Sequence, residues 1–150
     1  MPEYLETTLD KFTFKVATDR VYSADGVWLQ SVGGSRVRVG VTDFVQQHSG
    51  DVAFVSVKAA GARVAAGEEF ADLETVKVNL SLPLPVPGTV VEVNAALDTS
   101  PEVVNQDPYG AGWLAVIEAA SWEVDRLGLL DPPTYFSVMQ SQVEQELREQ

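Results

Sequence analysis

The chain has 150 residues and a formal charge of −12, with 45% hydrophobic residues and a pI near 4.3. That length and apolar content suit one globular domain able to bury a sizeable core. The acidic balance repels phosphate backbones and anionic lipid surfaces, which argues against nucleic-acid or membrane partners and for basic protein patches. Cysteine is absent, so neither a disulfide framework nor a thiol nucleophile is available, and any sulfur redox chemistry has to come from an added group. The segment Met1 to Asp10 is acidic without an apolar h-region, and no apolar run reaches membrane-spanning length, which predicts a cytoplasmic location.

In chain order, short β-prone runs separated by Gly, Pro and Asp dominate. They predict strands over Phe12–Val16, Gly26–Ser31, Arg36–Gly40, Val52–Val57, Glu69–Thr75, Val78–Leu82, Thr89–Val93 and Leu114–Glu118. Thr42 or Asp43 can cap a short helix through Phe44 and Gln47, because an oxygen there accepts from free first-turn amides. A further turn is predicted after Asp98, capped by Ser100 with Pro101 at the first helical position. Ser121 is read as starting a turn that runs to Leu127 and is broken by Asp131-Pro132-Pro133. Thr134 is read as the cap of a final helix reaching about Arg148. On it Phe136, Met139, Val143 and Leu147 form one apolar stripe that docks on the β body.

An internal repeat is visible. Gly50-Asp51-Val52-Ala53-Phe54-Val55 parallels Gly88-Thr89-Val90-Val91-Glu92-Val93, and Phe70-Ala71-Asp72-Leu73-Glu74 parallels Leu114-Ala115-Val116-Ile117-Glu118. Chance matching of Gly–Val alternation is the competing explanation. If the halves form two facing sheets, the segment Thr75 to Val78 becomes an exposed hairpin tip carrying Lys77. Read alone, Lys77 between Val76 and Val78 is an ordinary solvent-facing strand residue.

The motifs taken together resemble the glycine-cleavage H protein family. The matching runs are Val39-Gly40-Val41-Thr42-Asp43-Phe44, Gly50 to Val55, Gly67-Glu68-Glu69-Phe70, and Pro87-Gly88-Thr89-Val90-Val91-Glu92-Val93-Asn94. Glu74-Thr75-Val76-Lys77 is similar to the family's lipoylation hairpin. Val104-Asn105-Gln106-Asp107-Pro108-Tyr109-Gly110-Ala111-Gly112-Trp113 resembles its Val-Asn-x-Asp-Pro-Tyr-Gly-x-Gly-Trp segment. The resemblance covers roughly residues 26 to 118. It implies a mainly β fold, the lipoyl-domain flattened barrel of two antiparallel sheets with short flanking helices and a C-terminal helix. The expected organisation is a single carrier domain over 1–150, with a β body at about 12–118 and a helical segment at about 121–149. It also implies a non-catalytic carrier with lipoate in amide linkage to Lys77, on an attachment hairpin formed by Glu74, Thr75, Val76 and Val78. The lipoate-attaching enzyme is then one partner, and Asp72 and Glu74 either guide that enzyme or are simple solubilising charges. The dithiolane would supply the sulfur that the chain lacks, and tethering would keep a reactive group near successive active sites.

Three departures separate the chain from a minimal family member. Gly26-Val27-Trp28 stands where the family commonly has His-Glu-Trp, so a polar residue associated with the arm is missing. The run Val78-Asn79-Leu80-Ser81-Leu82-Pro83-Leu84-Pro85 is more apolar and proline-rich than the usual return strand. The N-terminal segment Asp10 to Arg20 and the long final helix are extra. Together they resemble the lipoate-binding proteins of heterodisulfide-reductase-like sulfur oxidation. The leading expectation is therefore an arm that shuttles sulfur intermediates among heterodisulfide-reductase-like subunits by thiol–disulfide exchange. The alternative is a glycine cleavage H protein passing an aminomethyl group among the glycine-cleavage enzymes, and a second alternative is an unmodified scaffold or regulator. A biotinyl carrier is set aside, because its motif prefers Met beside the lysine.

Other constellations are weaker. His48 with Asp43 and Ser49 lies within one short segment and cannot converge as a triad, so His48 reads as surface. Asp51, Glu68 and Glu69 are not spaced as a calcium loop. Gly33, Gly34 and Gly40 read as turn residues, since no following helix makes them a phosphate loop. Tyr109 and Trp113 are expected to pack over their loop, which Asn105 and Asp107 hold through backbone hydrogen bonds.

Overall fold

In the computed structural model, which describes residues 3–149, the chain forms three antiparallel sheets, short helices and one long C-terminal helix. The strands are β1 (Tyr4–Leu9), β2 (Phe12–Ala17), β3 (Val21–Tyr22), β4 (Val27–Gly33), β5 (Arg36–Val41), β6 (Val52–Val57), β7 (Arg63–Val64), β8 (Glu69–Thr75), β9 (Asn79–Pro83), β10 (Gly88–Val93) and β11 (Ala115–Ala119). The helices are α1 (Asp43–Ser49), α2 (Ala96–Thr99), α3 (Val103–Gln106), α4 (Trp122–Asp125), which runs into a 3-10 turn over Arg126–Gly128, and α5 (Pro132–Glu149). The flattened body is a six-stranded sheet in the order β3-β4-β5-β11-β10-β7 together with the three-stranded sheet β6-β8-β9. This is the two-sheet lipoyl-domain architecture, with a third element added: the β1–β2 hairpin.

Apolar residues of both sheets meet in one core. Trp28, Leu29, Val37, Val39 and Ile117 from the larger sheet, and Phe70, Leu73 and Leu82 from the smaller, are fully buried. Gly40 lies inside β5, not in a turn as the sequence suggested. It is required there because a Cβ would stand 2.5 Å from the indole of Trp28. Gly33 and Gly34 do turn the chain between β4 and β5.

The internal repeat is real at the level of structure. β6 pairs with β8, and β10 with β11. Each pair carries one bulge, between Val52 and Phe54 in the first and between Val90 and Glu92 in the second, which are equivalent positions in the repeat. The registers differ by two residues: Val55 faces Leu73 in one pair, whereas its counterpart Val93 faces Ala115, the equivalent of Ala71, in the other.

Several boundaries differ from expectation. β1, β3 and β7 were not anticipated, so the β structure starts at Tyr4 and not near residue 12; Met1 and Pro2 of the acidic segment lie outside the described residues. The β3 and β7 strands have two residues each, too few to show a period. Val78 belongs to the turn, and β9 begins at Asn79. The helical turn expected at Ser100–Pro101 is displaced: α2 precedes Ser100, and α3 starts at Val103. Thr42 caps α1 by accepting from the Val45 amide. Ser121 makes no side-chain cap bond to α4. The cap of α5 is Asp131, which accepts from the Thr134 amide at 2.9 Å. Both prolines then fit the first turn, where amides lack helical partners. The Thr134 hydroxyl, together with this backbone bond, holds the Asp131 carboxyl below its usual range.

The α5 stripe docks as expected through Met139 and Val143, with Phe136 and Leu147 half-buried beside them. Tyr135 anchors it more deeply. Its ring stacks on Tyr22 at 4.6 Å between centroids, and its hydroxyl shares a 2.9 Å hydrogen bond with Thr42. Gly26, with φ +86°, leaves room here: a Cβ would stand 2.3 Å from Val45. The residue that replaces the family's polar group is thus fixed by packing among β4, α1 and α5.

Candidate functional site

The hairpin between β8 and β9 projects Lys77. Glu74 pairs with Asn79, the Thr75 amide donates to the Val78 carbonyl at 2.9 Å, and Val76, Lys77 and Val78 form the exposed tip. Thr75 organises the tip. Buried at 8% exposure, its hydroxyl accepts from the amides of Val78 (2.9 Å) and Lys77 (3.2 Å), and its proton lies between the carbonyls of Ser49 (2.7 Å) and Val78 (2.8 Å). A side chain with one donor and two acceptor sites satisfies several turn groups at once.

The tip is also held from behind. The Val76 amide donates to the Asp51 carbonyl at 3.1 Å. Asn105 accepts from the Val52 amide at 2.9 Å and donates to the Gly50 carbonyl at 3.0 Å. The Asn105 side chain therefore does not bond within its own loop, as the sequence suggested; it locks the Gly50–Val52 segment on which the lysine hairpin leans. Asp107 does act locally, accepting from the Ala111 amide at 2.9 Å. Tyr109 is buried and donates its hydroxyl to the Lys15 carbonyl at 2.7 Å, fastening the β1–β2 hairpin. Trp113 is half-buried with the Arg38 guanidinium 5.1 Å from its ring.

The Lys77 ammonium is exposed, and its one hydrogen bond is to the carbonyl of His48, in the last turn of α1, at 3.1 Å. It forms no ion pair among the described residues. Asp72 and Glu74 are also exposed; Asp72 accepts from the Ser81 hydroxyl at 2.6 Å. His48 lies at the surface and pairs through Nδ1 with Glu146 at 3.0 Å. Asp43 instead turns toward Lys15 and Gln47, so no triad forms. Glu68 binds the Ala65 amide and Lys58, which together lower its carboxyl from the usual range. Among the described residues no group of three or more His, Asp or Glu side chains is arranged for a metal. No helix there is long and apolar enough to cross a membrane.

Two hollows flank the lysine. A cleft of about 610 Å³ lies between the hairpin and α5, lined by Val78, Asn79, Leu80, Tyr135 and Gln142. A smaller one of about 140 Å³ is lined by Lys77 itself with Phe12, Phe14, Phe44, Val143 and Leu147. An accessible, unpaired primary amine on a braced turn is chemically suited to acylation. Its amide would keep one N–H able to donate to His48.

Comparison with known proteins agrees with this geometry. Residues 20–142 match the family model described as glycine cleavage H-protein. The glycine cleavage system H protein of Mycobacterium avium is 45% identical over 123 residues, covering 80% of this chain and 93% of the relative. That of Coprothermobacter proteolyticus is 44% identical over 110 residues, covering 73% and 87%. The chain belongs to the glycine cleavage H-protein family. A crystal structure of a glycine cleavage system H protein from Mycobacterium marinum superposes with a TM-score of 0.69 at 35% identity, covering 79% of this chain and 94% of that one. Members of this H-protein family are non-catalytic carriers of lipoate attached covalently to a lysine. The β1–β2 hairpin and the end of α5 lie outside the H-protein match.

Sequence reasoning placed Lys77 on an exposed hairpin tip, where the fold has it, but missed Thr75 as the hub of that turn and Asn105 as its rear brace. Asn105 was signalled by its motif. Its reach to residues 53 and 55 positions away was not.

Proposed function

We propose that the chain is a glycine cleavage H protein, a single carrier domain that bears lipoate on Lys77 and carries an aminomethyl group among the glycine-cleavage enzymes. The observation that supports it most directly is the exposed, unpaired Lys77 on a turn braced by Thr75. The lipoyl group, when bound, supplies reversible disulfide–dithiol chemistry on a long arm. The chain's own residues do three things. Thr75 and Asn105 fix the base of the arm, the His48 carbonyl offers the linkage N–H an acceptor, and the cleft beside Val78 and Leu80 gives apolar surface close to the tip. Glu74, Val76 and Val78 present the lysine to the lipoate-attaching enzyme.

The heterodisulfide-reductase-like branch, expected from the N-terminal segment and the long final helix, gains no support from the comparisons, which name glycine cleavage relatives throughout. The extra elements pack against each other and against α1, and they leave the lysine hairpin intact.

Mass spectrometry of protein expressed with a lipoate-attaching enzyme should show one lipoyl increment on the Lys77 peptide and none in Lys77→Arg. The lipoylated protein should then support glycine decarboxylation. Absence of the increment under competent conditions would leave the scaffold reading. Loading by sulfur-pathway subunits without glycine decarboxylation would restore the sulfur branch.

A further inference from the structure

The outer face of the three-stranded sheet runs directly to Lys77. Strand pairing sets its rows: Phe54, Glu74 and Asn79 lie side by side, and Ser56, Asp72 and Ser81 form the next row, all exposed. Asp51 adds a third exposed carboxylate beside the tip. Within this polar, acidic face one large apolar side chain stands out of the protein, Phe54, at 67% exposure. Val76, 80% exposed on the tip, continues the apolar surface toward the lysine. Neither residue belongs to the core cluster or to the packing partly buried against it. The bulge after Val52 is what turns Phe54 outward, since unbroken alternation would place a residue two positions on from Val52 on the same face as Val52.

A solvated phenylalanine with no internal partner, beside Glu74 on the acidic sheet whose hairpin carries Lys77, has the composition of an interface anchor. We propose that Phe54 is the apolar anchor by which the lipoate-attaching enzyme docks on this chain. It would enter a socket bordered by Lys and Arg side chains that face Asp51, Asp72 and Glu74. The inference rests on the reading of Lys77 as the attachment site. Charge complementarity selects the partner's chemistry, because a chain of net charge −12 attracts a basic surface and aligns it before contact. Phe54 then supplies the short-range contact, and Val76 completes it at the tip.

The test is lipoylation kinetics on the full chain with the attaching enzyme, comparing wild type, Phe54→Ser, Phe54→Leu and the double variant Asp72→Asn/Glu74→Gln. Phe54→Ser should lower kcat/KM about tenfold through KM, with kcat and the thermal midpoint unchanged. Phe54→Leu should recover most of the loss. The double variant should flatten the salt dependence of KM. Wild-type KM in Phe54→Ser would overturn the anchor, as would sedimentation showing that Phe54 instead joins two copies of this chain. Failure of the wild type itself to be lipoylated would overturn the reading of Lys77, a separate outcome.

Discussion

The two repeat units of the body share a pattern and differ in what they do with it. In the β11 unit, Leu114 and the strand residues Ala115 to Ile117 are buried, and the strand is flanked by β5 and β10 in a six-stranded sheet. In β8 the equivalent stretch buries Phe70, Ala71 and Leu73 but exposes Asp72 where β11 buries Val116. Both pairs keep the bulge at the same place, yet the residue after it is Glu92 in one and the exposed Phe54 in the other. One copy has become scaffold. Its counterpart keeps the same inner face but leaves its outer face free, and the turn at its end carries the lysine. The repeated pattern thus supplies a rigid reference and a presenting arm, with the division made by a few outward-facing residues.

If the inner faces are equivalent, Ile117→Ala and Leu73→Ala should cost alike, about 3 kcal/mol each, from lost burial plus a cavity. Thermal unfolding should show each midpoint falling by roughly 10 °C; a much smaller loss for Leu73→Ala would mean the presenting half is loosely packed.

The six-stranded sheet is also tied to α5 by the stacked phenols of Tyr22 and Tyr135, and alkali should attack that tie. Burial raises Tyr22 and Tyr109 well above the usual phenol value and pushes Tyr135 up to about 12. A raised folded value favours the neutral phenol. The stabilisation is therefore complete below pH about 10, where unfolded tyrosine titrates, and is lost as pH climbs toward 12. For Tyr135 the linkage is worth about 3 kcal/mol. Denaturant titrations at pH 9, 10.5 and 11.5 should show a steepening loss, reduced in Tyr135→Phe.

On the presenting half, Asn105→Ala removes the partners of the Val52 amide and the Gly50 carbonyl and should cost about 2 kcal/mol. Hydrogen exchange at Val52 and Val76 should accelerate while the β5 and β11 amides stay protected. Asp72→Val should change stability by less than about 0.5 kcal/mol because the side chain is solvated. A large loss in a urea titration would show that the outer face is structural after all.

Much of this was legible in the amino-acid sequence. The seven longer strands of the body, the C-terminal helix and the Lys77 hairpin follow from alternation, turn residues and one motif. β1 stayed hidden because Leu5, Thr7 and Leu9 alternate with polar residues but are only half-buried, so their pattern is weak. The cap of α5 was misplaced because two prolines read as a break when they stand just after Asp131. Within the proposed site, the exposed hairpin position of Lys77 was legible from its neighbours. The web behind it was not: the bonds from Thr75 to Ser49 and from Asn105 to Gly50 close across 26 and 55 residues, and only the fold brings them together. Gly40 misled for the same reason, since its small size answers to Trp28 on the neighbouring strand.

The bracing of residues 75 to 78 determines where motion begins. With the Thr75 hydroxyl and the Asp51 carbonyl gripping the turn amides, and the Ser49 carbonyl holding that hydroxyl, the pivot lies beyond the main chain, at the rotatable bonds of the Lys77 side chain. A prosthetic arm attached there sweeps a volume centred on a fixed point, and a partner that captures it has little backbone disorder to freeze out. Relaxation measurements should find amide order parameters at the tip close to those of the sheet, with the methylenes of Lys77 moving far more freely.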